Sequence, residues 1–384
     1  MSKNRKPNTI LEGVTIEAIA AEGKCLFHHD NYVVFVPFCV PGDVADVEIY
    51  RKKHSYAEGR ILRFIKKSEV RAEPFCQHFG ICGGCKWQNL PYEEQLKAKQ
   101  TQVTDQLTRI GKVELPEISP ILASVKTKLE FGCCGRRWFT KEELNDDSLN
   151  LAEGNHSAIG FHITGAFDKI YPISKCWLMD DLHNKIRNEI ERYAKEVGMT
   201  FYDVRAQKGL LRNLMFRNSN TGEWMLLIQF HYDNPNDDEL AKQLMRHIAD
   251  EFPQISSFIY VDNQKGNDTI GDQELITFKG TDFIYEMMGD LKFKVGPKSF
   301  YQTNTEQAHR LYDVAKSFAF KDLPSDAKPL IYDLYTGTGT IANYVARQAS
   351  EVIGIEYVPE AIEDAKVNSE INNISNTKFF AGDM

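Results

Sequence analysis

The sequence predicts a multidomain α+β chain: a small N-terminal β-barrel of the OB type, a central α/β domain holding a cysteine loop, and an incomplete doubly wound, Rossmann-like parallel sheet at the end. Three observations carry this. Short β-forming runs separated by turn residues fill the first 67 residues, three cysteines fall between residues 76 and 85, and strands alternate with helices from Pro329 to Ala381 around a glycine turn. The boundaries are set at 1–67, 68–290 and 291–384. A length of 384 residues allows two or three domains at about 150 residues each.

With 42% hydrophobic and 26% charged residues the composition is that of a globular protein, which excludes general disorder. The longest apolar run, Tyr32 to Val40, falls far short of the roughly 18 residues that a membrane-spanning helix needs. The opening residues MSKNRKPNTILEG are basic but lead into no apolar segment, so a cytoplasmic location is expected.

In the barrel, Thr15–Ile19, Tyr32–Val36 and Asp46–Tyr50 cluster or alternate β-formers, with turns at His29-Asp30-Asn31 and Pro41-Gly42-Asp43. This spacing suits a five-stranded OB-type barrel, a common platform for RNA. The formal net charge is −8. Between residues 51 and 71, however, Arg51, Lys52, Lys53, Arg60, Arg63, Lys66, Lys67 and Arg71 meet only Glu58 and Glu69, so the segment is +6 and the remainder −14. Screening confines charge effects to about 10 Å, so such a stripe can neutralise phosphates on an acidic protein. A lysine-dressed edge strand that resists aggregation is the alternative.

Tyr92 to Ile110 reads as a helix, with Leu96, Lys99, Val103, Leu107 and Ile110 on one face and Gly111 as its stop. In the mixed region from Ile118 to Met287, Met225–Phe230 and Ile255–Val261 read as buried strands. Asp180–Val197 and Asp237–Phe252 read as helices, and residues 141–157 as a polar exposed loop. A strand and turn at Leu291–Lys298 then lead to a helix from Asn304 to Phe318, with Thr303 and Glu306 at capping-box spacing. Strands at Pro329–Leu334, Glu351–Glu356 and Lys378–Ala381 alternate with helices at Ile341–Gln348 and Pro359–Asn372. The sequence ends at Met384, directly after the third strand, and so reads as cut inside a domain.

Eight cysteines stand at 25, 39, 76, 82, 85, 133, 134 and 176. Cys76, Cys82 and Cys85 form C-x5-C-x2-C in a glycine-containing loop, where three thiolates can converge on one inorganic centre. Reduced loop thiols are the plain alternative. Zinc and iron–sulfur centres both want a fourth thiolate, and Cys176, which follows a strand-like run and opens a helix, is the best candidate. The spacing differs from the paired C-x2-C knuckles of zinc ribbons and from the C-x3-C-x2-C of radical enzymes, which favours a four-cysteine [4Fe-4S] cluster, structural or sensory in role. Cys25, Cys39, Cys133 and Cys134 are most simply small buried hydrophobes.

Asp333-Leu-Tyr-Thr-Gly337-Thr-Gly339-Thr340 follows a strand and precedes a helix, and its glycines let the backbone approach a ligand closely. Glu356 ends the next strand, where a carboxylate can accept both hydroxyls of a ribose, and Asp383 ends the third, near where an adenine would lie. A dinucleotide fits G-x-G equally. Acids on all three strands, with Ala342 where a third glycine would stand, suit S-adenosylmethionine instead.

On these residues the chain resembles the RNA uracil-C5 methyltransferases, in particular the iron–sulfur branch that modifies 23S ribosomal RNA. The resemblance covers nearly the whole chain in motif order. Residues 1–67 are similar to a TRAM domain, an RNA-binding OB-like barrel. CQHFGICGGCKWQNLPYEEQLKAKQ resembles the family's cluster loop and following helix, and IGFHITGAFDKIYPISKC the segment bearing the fourth ligand, Cys176. GPKSFYQTN resembles the motif whose glutamine, here Gln302, contacts the methionine end of the cofactor. DLYTGTGTI resembles a class I methyltransferase turn, DLYCGxGNF, which puts Tyr335 and Thr340 in the cofactor site with Asp333, Gly337 and Gly339. Thr336 stands for the usual cysteine and Thr340 for the usual asparagine. Glu356 and Asp383 match the ribose and adenine contacts.

The resemblance implies an RNA (uracil-5-)-methyltransferase that binds S-adenosyl-L-methionine and a [4Fe-4S] cluster and takes ribosomal RNA; no membrane partner and a monomeric state are expected besides. It also implies that the D-P-P-R segment, the nucleophilic cysteine and the catalytic glutamate lie beyond Met384, leaving no catalytic residue in the 384. A thiolate would add to C6 of uracil, C5 would take the methyl, and a base would remove the C5 proton. Two alternatives are a radical methylthiotransferase with a TRAM domain, disfavoured by the cysteine spacing, and a non-catalytic RNA-binding or redox-sensing protein.

Overall fold

Alternate side chains of Lys24–His29 and Tyr32–Pro37 point inward (Cys25 and Phe27 from the first, Val34 and Val36 from the second), as a sheet with one buried face requires. The computed structural model describes residues 9–121, 128–146, 148 and 156–383. It separates into two compact units, Met1–Ala123 and Ser124–Met384.

In the first unit β1 (Thr9–Thr15), β2 (Ala18–Ile19), β3 (Lys24–His29), β4 (Tyr32–Pro37), β5 (Val44–Lys52) and β6 (Tyr56–Lys66) form one six-stranded sheet in the order β1-β5-β6-β4-β3-β2. All neighbours are antiparallel except β4 and β6, as in a partly open Greek-key barrel. The strand expected over Thr15–Ile19 is broken in two, giving six strands where five were expected. Ile16 is buried, and its N–H and C=O bond Asp43 and Gly42 of the next turn instead of a strand. The helix α1 (Tyr92–Asp105) runs on into a single π-turn, Gln106–Ile110, and stops at Gly111 as expected. Its expected apolar face is not buried: Val103, Leu107 and Ile110 are 47%, 39% and 79% exposed. A cavity of about 470 Å³ lies between this helix and Ala18–Ala21.

The second unit begins with β7 (Lys128–Cys134), the short α2 (Lys141–Leu144), β8 (Ala158–Ile163), β9 (Ala166–Pro172), α3 (Asp181–Glu196), β10 (Leu211–Asn218), β11 (Trp224–Phe230), α4 (Asp237–Glu251), β12 (Ser257–Asp262) and β13 (Ile276–Gly280). Its seven strands run in the order β13-β12-β11-β10-β7-β8-β9, and only β11 and β12, joined across α4, are parallel. Residues 141–144, expected as loop, form α2 because Thr140 and Glu143 close a reciprocal capping box. Of the remaining expected loop, residues 147 and 149–155 lie outside the described residues.

A two-stranded hairpin follows, β14 (Ile284–Met288) and β15 (Leu291–Val295), and then α5 (Thr305–Ala319). The capping pair expected at Thr303 and Glu306 gives way to Asn304, whose side chain accepts the Gln307 N–H at 2.9 Å. Then β16 (Leu330–Leu334), α6 (Thr340–Val345), β17 (Glu351–Glu356), α7 (Pro359–Ile371) and β18 (Thr377–Ala381) build a parallel sheet in the order β16-β17-β18. This is the βαβαβ half-sheet expected from the sequence, with strand bounds within a residue. No described helix is long and apolar enough to cross a membrane.

Candidate functional site

After β16 the backbone turns through conformations few side chains tolerate. Tyr335, Gly337 and Gly339 take φ of 62°, 54° and 73°. At Gly339 space is also closed, since a Cβ would stand 2.9 Å from Ala365 Cβ and 3.0 Å from the Phe379 ring. At Gly337 nothing lies within 4 Å, so the outer side of the turn is bare backbone that a ligand can approach.

Asp333 is buried, and its Oδ2 accepts the Thr336 hydroxyl at 2.6 Å and the Ala342 N–H at 2.9 Å. Burial pushes its carboxyl pKa up, against the pull of those two bonds. Asp333 therefore braces the turn from behind, and Thr336 is the donor that completes the brace. Thr340 is buried with its hydroxyl 3.4 Å from that of Thr338. Glu356 accepts the Gly337 N–H on Oε2 and the Val358 N–H on Oε1, each at 3.1 Å. A carboxylate offers about four lone-pair directions, which leaves about two for a diol. Gly382 donates to the Glu356 carbonyl at 2.9 Å, and the exposed Asp383 follows it.

The structure thus gathers Asp333, Tyr335, Gly337, Gly339, Thr340, Glu356 and Asp383 at the carboxyl ends of three parallel strands, where open α/β sheets bind ligands. Gln302 is exposed in the segment between β15 and α5. The sequence reading missed two buried asparagines. Asn343 donates to the Gly339 carbonyl at 2.8 Å and accepts from Ser369, and Asn368 donates to the Thr338 carbonyl at 3.0 Å. The available signal was that asparagine is a poor helix-interior residue and needs a reason to be there.

In the first unit the cysteine loop packs on the barrel: the Asn89 side-chain amide donates to the Cys39 carbonyl at 3.5 Å, and Phe38 and Phe79 meet edge to face. Gln88 accepts the Cys76 N–H at 3.2 Å and donates to Cys85 Sγ at 3.4 Å, while the Gly84 N–H reaches Cys82 Sγ at 3.4 Å. N–H donors aimed at sulfur favour thiolate, so this donor set fits a thiolate-bound metal centre. Among the described residues no group of three or more His, Cys, Asp or Glu side chains is assembled to hold a metal ion. Cys176 is buried in the second unit, where Asn184 bonds its N–H at 2.7 Å and its carbonyl at 3.1 Å.

The basic stripe is corrected by its partners. Arg51 pairs with Glu58, Arg60 with Glu48, Arg63 with Asp46 and Arg71 with Asp43, at 3.2, 2.5, 2.5 and 2.6 Å. Three of those carboxylates come from residues 43–48, outside the stretch that gave +6, so the stripe is largely neutralised. Among the described residues Lys52, Lys53 and Lys66 stay clear of carboxylates, with Lys52 Nζ 3.9 Å from the centre of the Tyr32 ring.

Residues 12–62 match a TRAM domain and residues 326–384 a methyltransferase domain. The fold and the site therefore define a methyltransferase that carries a TRAM domain. An uncharacterized RNA methyltransferase of Bacteroides thetaiotaomicron is 56% identical over 371 residues, covering 95% of this chain and 80% of the relative. One from Porphyromonas gingivalis is 49% identical over 377 residues, covering 96% and 79%. The chain belongs to this family of RNA methyltransferases. Its fold is that of the tRNA (uracil-54, C5)-methyltransferase of Pyrococcus abyssi, solved in complex with S-adenosyl-L-homocysteine, with a TM-score of 0.68 over 97% of this chain and 79% of that one at 22% identity.

Proposed function

We propose that this RNA methyltransferase transfers a methyl group from S-adenosyl-L-methionine to C5 of a uridine in 23S ribosomal RNA. The observation that carries the cofactor assignment is the Gly337–Glu356 bond, which sets a bare backbone turn beside a carboxylate with acceptor capacity to spare. Glu356 would hold the ribose hydroxyls, Asp383 the adenine, and Gln302 the methionine end. Gly337, Gly339, Tyr335 and Thr340 would shape the pocket that Asp333 braces. When bound, the cofactor would supply an electrophilic sulfonium methyl, and these residues would hold and orient it. Uracil C5 is too weak a nucleophile until a thiol adds to C6, and we assign that thiol to none of the 384 residues.

Cys76, Cys82, Cys85 and Cys176 would hold one [4Fe-4S] cluster, whose chemistry there is structural or redox-sensing. The TRAM barrel would carry RNA through Lys52, Lys53 and Lys66. The division at 67 and 290 is then one by role, since the cysteine loop packs with the barrel. The enzyme would act as a cytoplasmic monomer.

Deleting the gene should remove one 5-methyluridine from 23S ribosomal RNA, read by mass spectrometry of RNase fragments, and the gene supplied in trans should restore it. Loss of a 5-methyluridine from transfer RNA instead would overturn the ribosomal target.

A further inference from the structure

Asp364 and Asn368 on α7 and Asn372 at its C-cap stand four residues apart and so share one face. That face meets the free edge of β15. Lys292 and Lys294 alternate along this edge, and their backbone groups bond helix side chains where a neighbouring strand would otherwise lie. Asn372 accepts the Lys292 N–H at 2.8 Å and donates to its carbonyl at 2.7 Å. Asn368 accepts the Lys294 N–H at 2.7 Å and, with its other end, donates to the Thr338 carbonyl at 3.0 Å. Asp364 accepts the Ser299 hydroxyl at 2.8 Å.

We infer that Asn368, fully buried, is a positioning residue that fixes the spacing between the glycine turn and the segment leading to Gln302, with Asp364 and Asn372 as its supports. The inference rests on the proposed cofactor reading, in which those two parts grip opposite ends of one molecule. A single amide bridges them, so each bond it makes transmits a shift of one part to the other. The turn keeps its own shape without it, through Asp333, Asn343 and Glu356. The Gln302 segment also has an independent anchor, since Arg217 of β10 donates to the Gly296 carbonyl at 3.1 Å. Loss of the clamp therefore misplaces one grip against the other and leaves each formed.

The test compares two ligands by calorimetry on the whole chain: S-adenosylhomocysteine, which spans both grips, and adenosine, which needs the turn side alone. Asn368→Asp keeps the acceptor for Lys294 and sets an oxygen against the Thr338 carbonyl. It should weaken S-adenosylhomocysteine at least about tenfold and adenosine less than about twofold. Asp364→Ala, at a half-buried position, should show the same split at about threefold. Equal weakening of both ligands, or no weakening of S-adenosylhomocysteine, would overturn the positioning role. Glu356→Ala separates the two ideas. Loss of both ligands there keeps the cofactor reading, whereas unchanged binding of both overturns that reading and the clamp with it.

Discussion

At the glycine turn the shaping bonds run between buried protein groups: Asp333 to Thr336 and Ala342, Asn343 to Gly339, Asn368 to Thr338. At the cysteine loop they run onto half-buried sulfurs, from Gln88 to Cys85 and from Gly84 to Cys82. The first site is finished by the fold, because the same sheet and helices that form the core also supply its partners. The second carries donors suited to thiolates, and no metal-holding group is assembled among the described residues. A ligand bound through backbone needs its site beforehand, whereas thiolate sites are completed by the metal that binds them.

The largest expected effect breaks or keeps this contrast. Protein purified without oxygen should be brown, with about four irons and four sulfides per chain, and Cys85→Ser should lose the colour and the iron together. Stoichiometric zinc without iron would mean that the loop is finished by another metal.

A smaller effect tests the prebuilt turn. Gly339→Ala drives a Cβ against Ala365 and should cost about 2–3 kcal/mol in urea unfolding. Gly337→Ala meets no neighbour, so it should cost about 1 kcal/mol of backbone strain while still impairing S-adenosylhomocysteine binding. Equal stability losses at the two glycines would remove the distinction between a closed inner and an open outer side.

The smallest effect concerns the barrel. Changing Lys52, Lys53 and Lys66 to Ala should flatten the salt dependence of RNA binding, measured by filter binding across salt, by about 0.7 for each phosphate no longer neutralised. Arg60→Ala and Arg63→Ala, whose charges are already met by Glu48 and Asp46, should leave that slope nearly unchanged. A slope that follows the arginines would reverse the assignment.

How much of this was legible follows from where each partner lies in sequence. Gly337, Gly339 and Glu356 were legible because local spacing on a strand–turn–helix unit dictates their positions. The arginine pairs were not, since Asp46 and Glu48 come alongside Arg63 and Arg60 only through the β5–β6 register. Asn368 was hidden for a similar reason. An asparagine on a helix looks solvated until a strand 74 residues earlier is found against it. The break after Thr15 escaped because a β-forming run does not reveal that Ile16 will bond a turn. Cysteine spacing, by contrast, was plain in the sequence, because Cys76, Cys82 and Cys85 are neighbours along the chain.

The hairpin β14–β15 is closed on both sides by side chains. Asn368 and Asn372 occupy one edge, while Asn220 bonds both backbone groups of Met287 on the other, at 2.7 and 2.9 Å. A two-stranded ribbon with bare edges would be a template onto which another chain could add a strand. Amides in those places satisfy the ribbon without extending it, so the hairpin offers no seed for cross-β growth while the protein is folded.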